Sequence, residues 1–170
     1  MATRWIGIDI GGANLKFSGN SDSPQRSDSL QRSDSLKIPF ELWKHPEELG
    51  QRINGVLQTL MPVDSLAITM TGELADCFRD KQQGVGFIVD QIENQCERWP
   101  AFYYQTTGQF VNAERATKQY LLTAASNWHA LASIVAREFN NVILLDIGTT
   151  TTDIIPVSYT HLTLPTIYSV

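Results

Sequence analysis

"LLDIGTTTTDIIPV", Leu144 to Val157, places four threonines directly behind an Asp-Ile-Gly. The apolar run Val142 to Leu145 predicts a buried strand, because a short aliphatic and β-branched stretch bounded by polar residues suits a covered sheet. A strand interior has no use for four consecutive hydroxyls. Asp146 and Gly148 predict a sharp turn, and the small hydroxyl side chains behind it leave backbone amides open to something negatively charged. The pattern points to a phosphate.

The pattern occurs once more near the other end of the chain. "IGIDIGGANLKF", Ile6 to Phe17, runs through apolar residues into Asp9, then Gly11 and Gly12, then returns through Leu15, Lys16 and Phe17. Asp9 aligns with Asp146 and Gly11 with Gly148. Two Asp-Ile-Gly hairpins predict duplicated half-sites, one per lobe, facing each other across a cleft. Taken singly, each Asp is as well explained by turn capping and each Gly by hairpin geometry. Each Asp also ends a buried strand, where an unpaired carboxylate is costly, and the duplication favours work on Mg2+ or phosphate. Lys16, on the return strand, is in reach of a phosphate, although a solvent-facing lysine is the commoner outcome.

The bulk properties bound the class. With 170 residues, 42 % of them hydrophobic, the chain buries a real core and has the length of one domain or a little more. A formal net charge of −5 argues against a nucleic-acid or anionic-membrane partner. Phosphate binding must then come from backbone and metal, and the partner expected is a small phosphate or diphosphate compound. Cys77 and Cys96 do not mark a disulfide scaffold, the start "MATRWIGIDI" lacks a secretory apolar region, and no run approaches the roughly 20 apolar residues of a bilayer span. The expectation is a reduced, cytoplasmic protein.

Ser21 to Ile38 splits into three hexapeptides, SDSPQR, SDSLQR and SDSLKI. So serine-rich and charge-balanced a stretch predicts a flexible surface insertion, residues 20–37, with no chemistry of its own. "HPEELGQRINGVLQTL", His45 to Leu60, predicts an amphipathic helix with Pro46 at its start. "SLAITM", Ser65 to Met70, predicts a buried strand, and Thr71 a cap for a helix beginning near Glu73. Helices are further expected over Val85 to Trp99 and Glu114 to Phe139, the latter broken near Ser126 and Asn127. Between them Phe102 to Val111 predicts a strand pair bent at Gly108. This order predicts an α/β layered fold. The tail "VSYTHLTLPTIYSV", Val157 to Val170, contains no Asp, Glu, Lys or Arg. It resembles translated sequencing-adapter read-through more than a β-rich lobe, and we expect it to be foreign to the fold.

The two hairpins resemble the phosphate-1 and phosphate-2 motifs of the superfamily that unites actin, heat-shock chaperones, sugar kinases and hydantoinases. The first matches at Asp9, Gly11, Gly12 and Asn14, the second at Asp146, Gly148, Thr151 and Asp153. The resemblance implies an actin-like ATPase fold, in which ribonuclease-H-like lobes of mixed sheet flanked by helices close on a ligand. It divides the chain into a first lobe over residues 1–141, a hairpin over 142–156 that opens a truncated second lobe, and the foreign tail over 157–170. Phosphate is then held by Gly11, Gly12, Asn14, Lys16, Gly148, Thr149, Thr150 and Thr151, and Mg2+ by Asp9, Asp146 and Asp153; ATP is a possible ligand. Oxygen ligands suit a hard divalent cation, and amide nests attract anionic oxygens.

A narrower likeness joins "IGIDIGGANLK", "LWKHPEEL", "LAITMTGELADCF", "ASNW" and "LLDIGTTTTDIIP". Together these resemble the hydantoinase A/oxoprolinase-related group of tetrahydromethanopterin-linked C1 transfer pathway proteins, over most of residues 5–156. The resemblance implies a methanofuran-biosynthesis-type transferase that displaces pyrophosphate, the clamp steadying charge on the leaving group. Glu73 in "TMTGEL", where a strand passes into a helix, is a candidate general base, and a helix N-terminal glutamate is an equally good account of it. Two other functions fit the pattern. One is an ATP-dependent small-molecule kinase or hydantoinase/oxoprolinase-like hydrolase. The other is a ribonuclease-H-like nuclease using Asp9, Glu73 and Asp146, which the acidic balance disfavours. The chain alone, lacking most of a second lobe, is expected to be inactive.

Overall fold

The computed structural model describes residues 4–19, 35–147, 151–157 and 166–169. Residues 20–34 of the serine-rich repeat lie outside the described residues, as do Gly148, Thr149 and Thr150.

The main sheet is built around a parallel trio. β1 (Trp5–Ile10) and β4 (Ser65–Met70) pair in parallel, as do β4 and β5 (Ala101–Tyr104). β2 (Asn14–Gly19) and β3 (Ser35–Pro39) extend it antiparallel on one side and β6 (Phe110–Val111) on the other, giving the order β3-β2-β1-β4-β5-β6. Strict alternation in β1 and β4 sends Ile6, Ile8, Ile10, Leu66, Ile68 and Met70 to one face, where all are buried. Helices α1 (Leu49–Thr59) and α2 (Lys81–Gln95) supply Leu49, Ile53, Leu57, Val85, Ile88 and Ile92 to the same core. Short helices α3 (Ala113–Lys118) and α4 (Tyr120–Thr123) pack on α2 and lead to α5 (Asn127–Glu138).

A second sheet, β7-β8-β9, consists of β7 (Val142–Ile147), β8 (Thr151–Val157) and β9 (Thr166–Ser169), all antiparallel. One face of it rests on α5, where Trp128 and Ala132 meet Ile155 and Val157 in a separate small core. The second hairpin thus packs on α5, which also touches the main sheet at β4.

Four elements differ from the sequence reading. Ser35 to Pro39, the end of the repeat, is not a free insertion but an edge strand, because Leu36 and Ile38 alternate opposite Phe17 and Leu15 and the β2 backbone supplies the ladder. α2 starts at Lys81, ahead of Val85, because Asp80 caps it by accepting the Gln83 N–H at 2.8 Å. Thr71 caps nothing with its side chain; Gly72 to Leu74 is a short 3-10 helix. β7 is covered on one side only: Ile143, Leu145 and Ile147 are 69 %, 57 % and 75 % exposed, since no described element lies over that face. In the tail, Val157 is buried and Thr166 to Ser169 pairs with β8. No helix among the described residues is long and apolar enough to cross a membrane.

The two faces predict contrasting mutational outcomes. Ile68→Ala, in the fully buried centre of the main sheet, should lower the unfolding free energy by about 2–5 kcal/mol in urea titration. Leu145→Ala, on the uncovered face, should change it by about 0.5 kcal/mol or less.

Candidate functional site

In each hairpin an Asp is the penultimate residue of the first strand, and the two share one register. Asp9 faces Lys16 across β1 and β2, and Asp146 faces Asp153 across β7 and β8, so each Asp opposes the residue seven positions on. The duplication read from the sequence thus extends to strand pairing. What differs is the opposing residue.

In the first hairpin the Lys16 ammonium lies 2.9 Å from Asp9 Oδ2. Thr69, in register with Asp9 on the neighbouring parallel strand, donates its hydroxyl to Oδ1 at 3.2 Å. The Lys16 side chain is 57 % exposed, so this pair adds only about 0–1 kcal/mol of stability, and its chief effect is to orient the carboxylate. Beyond Asp9 the turn is held from behind. Gly11 donates to Asn14 O at 3.0 Å, Phe40 to Ala13 O at 3.0 Å and Leu42 to Gly12 O at 2.9 Å. The amides of Gly12 and Ala13 donate to no described residue, and a Cβ placed on Gly12 would meet nothing within 4 Å. Carbonyls engaged by Phe40 and Leu42, and amides with no partner among the described residues, make a turn suited to an anion.

In the second hairpin two carboxylates face each other. Asp153 titrates above its ordinary range, first because of burial and then because of the Asp146 charge. Such a pair is relieved by a proton or by a cation. An all-oxygen set of Asp146, Asp153 and Asp9 suits Mg2+. These three do not form a compact group here: among the described residues, the cluster with ligand atoms within 4.8 Å of one another is His45, Glu47 and Glu48, which is fully exposed. Of the expected phosphate ligands, Gly11, Gly12, Asn14 and Lys16 surround the first turn. Thr151 begins β8, and Gly148, Thr149 and Thr150 lie outside the described residues.

Glu73 is 1 % exposed. Its Oε1 accepts the Ala125 N–H at 2.7 Å, and its Oε2 finds no partner among the described residues. Burial pushes its pKa up from the ordinary 4.5, against its own and Ala125's backbone N–H bonds and the Lys81 charge, with Asp9 adding a smaller upward push. Ser126, next to Ala125, is fully buried with its hydroxyl unpartnered among the described residues, and Trp128 joins the second core. His129 packs against Tyr104, whose hydroxyl lies 3.0 Å from Nδ1.

Two contributors escaped the sequence reading. Thr69 carries a readable signal, since the alternation of "SLAITM" places it on the same face as Asp9 once β1 and β4 are paired. Ala125 carries none: it takes a left-handed φ of 50° without being Gly or Asn, and its N–H donates to the distant Glu73.

Comparison with known proteins places the chain in a family. A family model described as Hydantoinase/oxoprolinase matches residues 64–168. Over 154 residues the chain is 40 % identical to the (4-{4-[2-(gamma-L-glutamylamino)ethyl]phenoxymethyl}furan-2-yl)methanamine synthase of Methanocaldococcus jannaschii, covering 89 % of this chain and 43 % of that protein. The chain therefore spans less than half the length of that curated relative. Among solved structures, the ethanolamine utilization protein EutJ of Carboxydothermus hydrogenoformans superposes with a TM-score of 0.57 at 11 % identity, over 99 % of this chain and 53 % of that one. An exopolyphosphatase from Cytophaga hutchinsonii gives 0.51 at 12 % identity, over 99 % and 51 %. At such identities the likeness speaks for the fold alone, a lobe of the actin-like ATPase type.

The buried Glu73 fixes a pH signature. A folded-state pKa above 4.5 means that the folded chain binds more protons than the unfolded chain over that interval, so stability falls as pH rises from 4.5 through the folded value. Glu73→Gln has no such dependence. In thermal melts the variant should match the wild type near pH 4.5 and melt progressively higher than it toward neutrality; a gap that stays constant with pH contradicts this.

Proposed function

The chain belongs to the hydantoinase/oxoprolinase family, and on that footing we propose that it supplies the phosphate- and Mg2+-binding lobe of a transferase of tetrahydromethanopterin-linked C1 metabolism. The reaction is of the methanofuran-biosynthesis type, in which an amine-phenol unit displaces pyrophosphate from a diphosphate-bearing aminomethylfuran. The observation that carries the reading is the pair of hairpins in one register, Asp9 opposite Lys16 ahead of a turn whose Gly12 and Ala13 amides donate to no described residue, and Asp146 opposite Asp153. The 40 % identity to a furan-methanamine synthase supports the choice of substrate class.

In this reading the amides of Gly12 and Ala13, the Asn14 end of β2 and the Lys16 ammonium hold diphosphate oxygens. Lys16 can leave Asp9 for a phosphate because its pairing there is solvent-exposed and weak. Asp9, Asp146 and Asp153 would hold Mg2+, which supplies charge stabilisation to the departing pyrophosphate. Gly148, Thr149, Thr150 and Thr151 would hold further phosphate oxygens. This chain by itself, which covers 43 % of that synthase, is expected to bind without turning over.

Calorimetry of the whole chain with pyrophosphate tests the proposal. Binding should require Mg2+, vanish with a chelator, and weaken by about tenfold or more in Asp9→Asn, the scale of a lost charged contact. Mg2+-dependent binding of ATP with no response to pyrophosphate would replace the proposal with the ATP-dependent kinase or hydrolase.

A further inference from the structure

Glu73 stands in a line of contacts that runs from the first hairpin to the second. Thr71 donates its N–H to Ile10 O at 2.9 Å. Gly72 sits so tightly on the first turn that a Cβ there would lie 3.2 Å from Ile10 O, 3.4 Å from Gly11 O and 2.7 Å from Leu42 Cδ2. The Glu73 backbone is pressed against α2, where a Cβ on Gly84 would come within 2.7 Å of Glu73 Cα. With its main chain held on both sides, Glu73 turns its side chain inward and takes the Ala125 N–H at 2.7 Å. Ala125 holds its left-handed φ of 50° at that point, a conformation that L residues rarely adopt. Two residues later α5 begins, and α5 is the element on which β8 packs.

We propose that Glu73 is a positioning residue, a latch whose reach rather than charge fixes α5 and the β7–β8 hairpin relative to the Gly11 turn. The task differs from proton abstraction: a carboxyl sealed beneath the turn and already bonded to Ala125 touches no reacting atom. It gives the two hairpins a shared mechanical reference, so that they present their ligands at a set separation. The inference extends the clamp reading in what the latch serves, but its test uses the unliganded chain.

Hydrogen exchange on the whole chain separates reach from charge. Glu73→Gln keeps the length and an acceptor oxygen without the charge; Glu73→Asp keeps the charge but is one methylene short; Glu73→Ala lacks both. The latch predicts that the Ala125 amide and the amides of α5, β7 and β8 exchange about tenfold or more faster in the Asp and Ala variants, while β1, β4 and α1 keep wild-type rates. The Gln variant should exchange no faster than wild type. The inference is overturned if Gln behaves like Ala, if Asp behaves like wild type, if exchange accelerates equally in every element, or if no variant changes it. Should the Ala variant fail to fold, the Gln and Asp pair decides alone. A chain that shows the predicted exchange pattern yet binds no Mg2+-pyrophosphate would retain the latch and lose the clamp reading.

Discussion

The parallel, in-register pairing of β1 with β4 is the constraint from which the rest of the site follows. It sets Thr69 beside Asp9, so that a strand-end carboxylate has a hydroxyl partner inside the sheet. It also brings the chain leaving β4 directly beneath the first turn, where Thr71 and Gly72 support Ile10 and Gly11. Any slip of this register by one residue would send Ile6, Ile8 and Ile10 to the opposite face and dissolve the core on which α1 and α2 sit.

The two hairpins repeat a shape and diverge in charge. In the first, Lys16 neutralises Asp9 and the turn offers free amides, an arrangement suited to an anion. In the second, Asp146 and Asp153 concentrate negative charge that favours a cation. A metal-bound diphosphate is a ligand whose two chemistries match this division, and the proposal of a pyrophosphate-releasing transferase rests on that match together with the family relationship.

Much of this was legible in the sequence. "SLAITM" was bounded to the residue as Ser65 to Met70, because its alternation is strict and its flanks are polar. The first Asp-Ile-Gly segment announced its turn, and both announced antiparallel strand pairs, since carboxylate, glycine and small polar residues favour a reversal of the chain. The edge strand β3 was hidden because the composition of the repeat outweighed the alternation of Leu36 and Ile38, and edge pairing is a property of the neighbouring strand. The start of α2 was hidden because its first turn is polar and only Asp80 announces it. The link from Glu73 to Ala125 spans 52 residues, and no local pattern encodes a contact at that separation.

The central claim is that the two hairpins form one cation-dependent anion site. It is tested most directly by adding Mn2+ in place of Mg2+, with pyrophosphate, to the isotopically labelled chain and recording which backbone resonances the paramagnetic ion broadens. The account predicts that Gly11 to Asn14 and Asp146 to Asp153 broaden together, and only when both ion and pyrophosphate are present. Broadening confined to His45, Glu47 and Glu48, or to one hairpin with the other untouched, would contradict it.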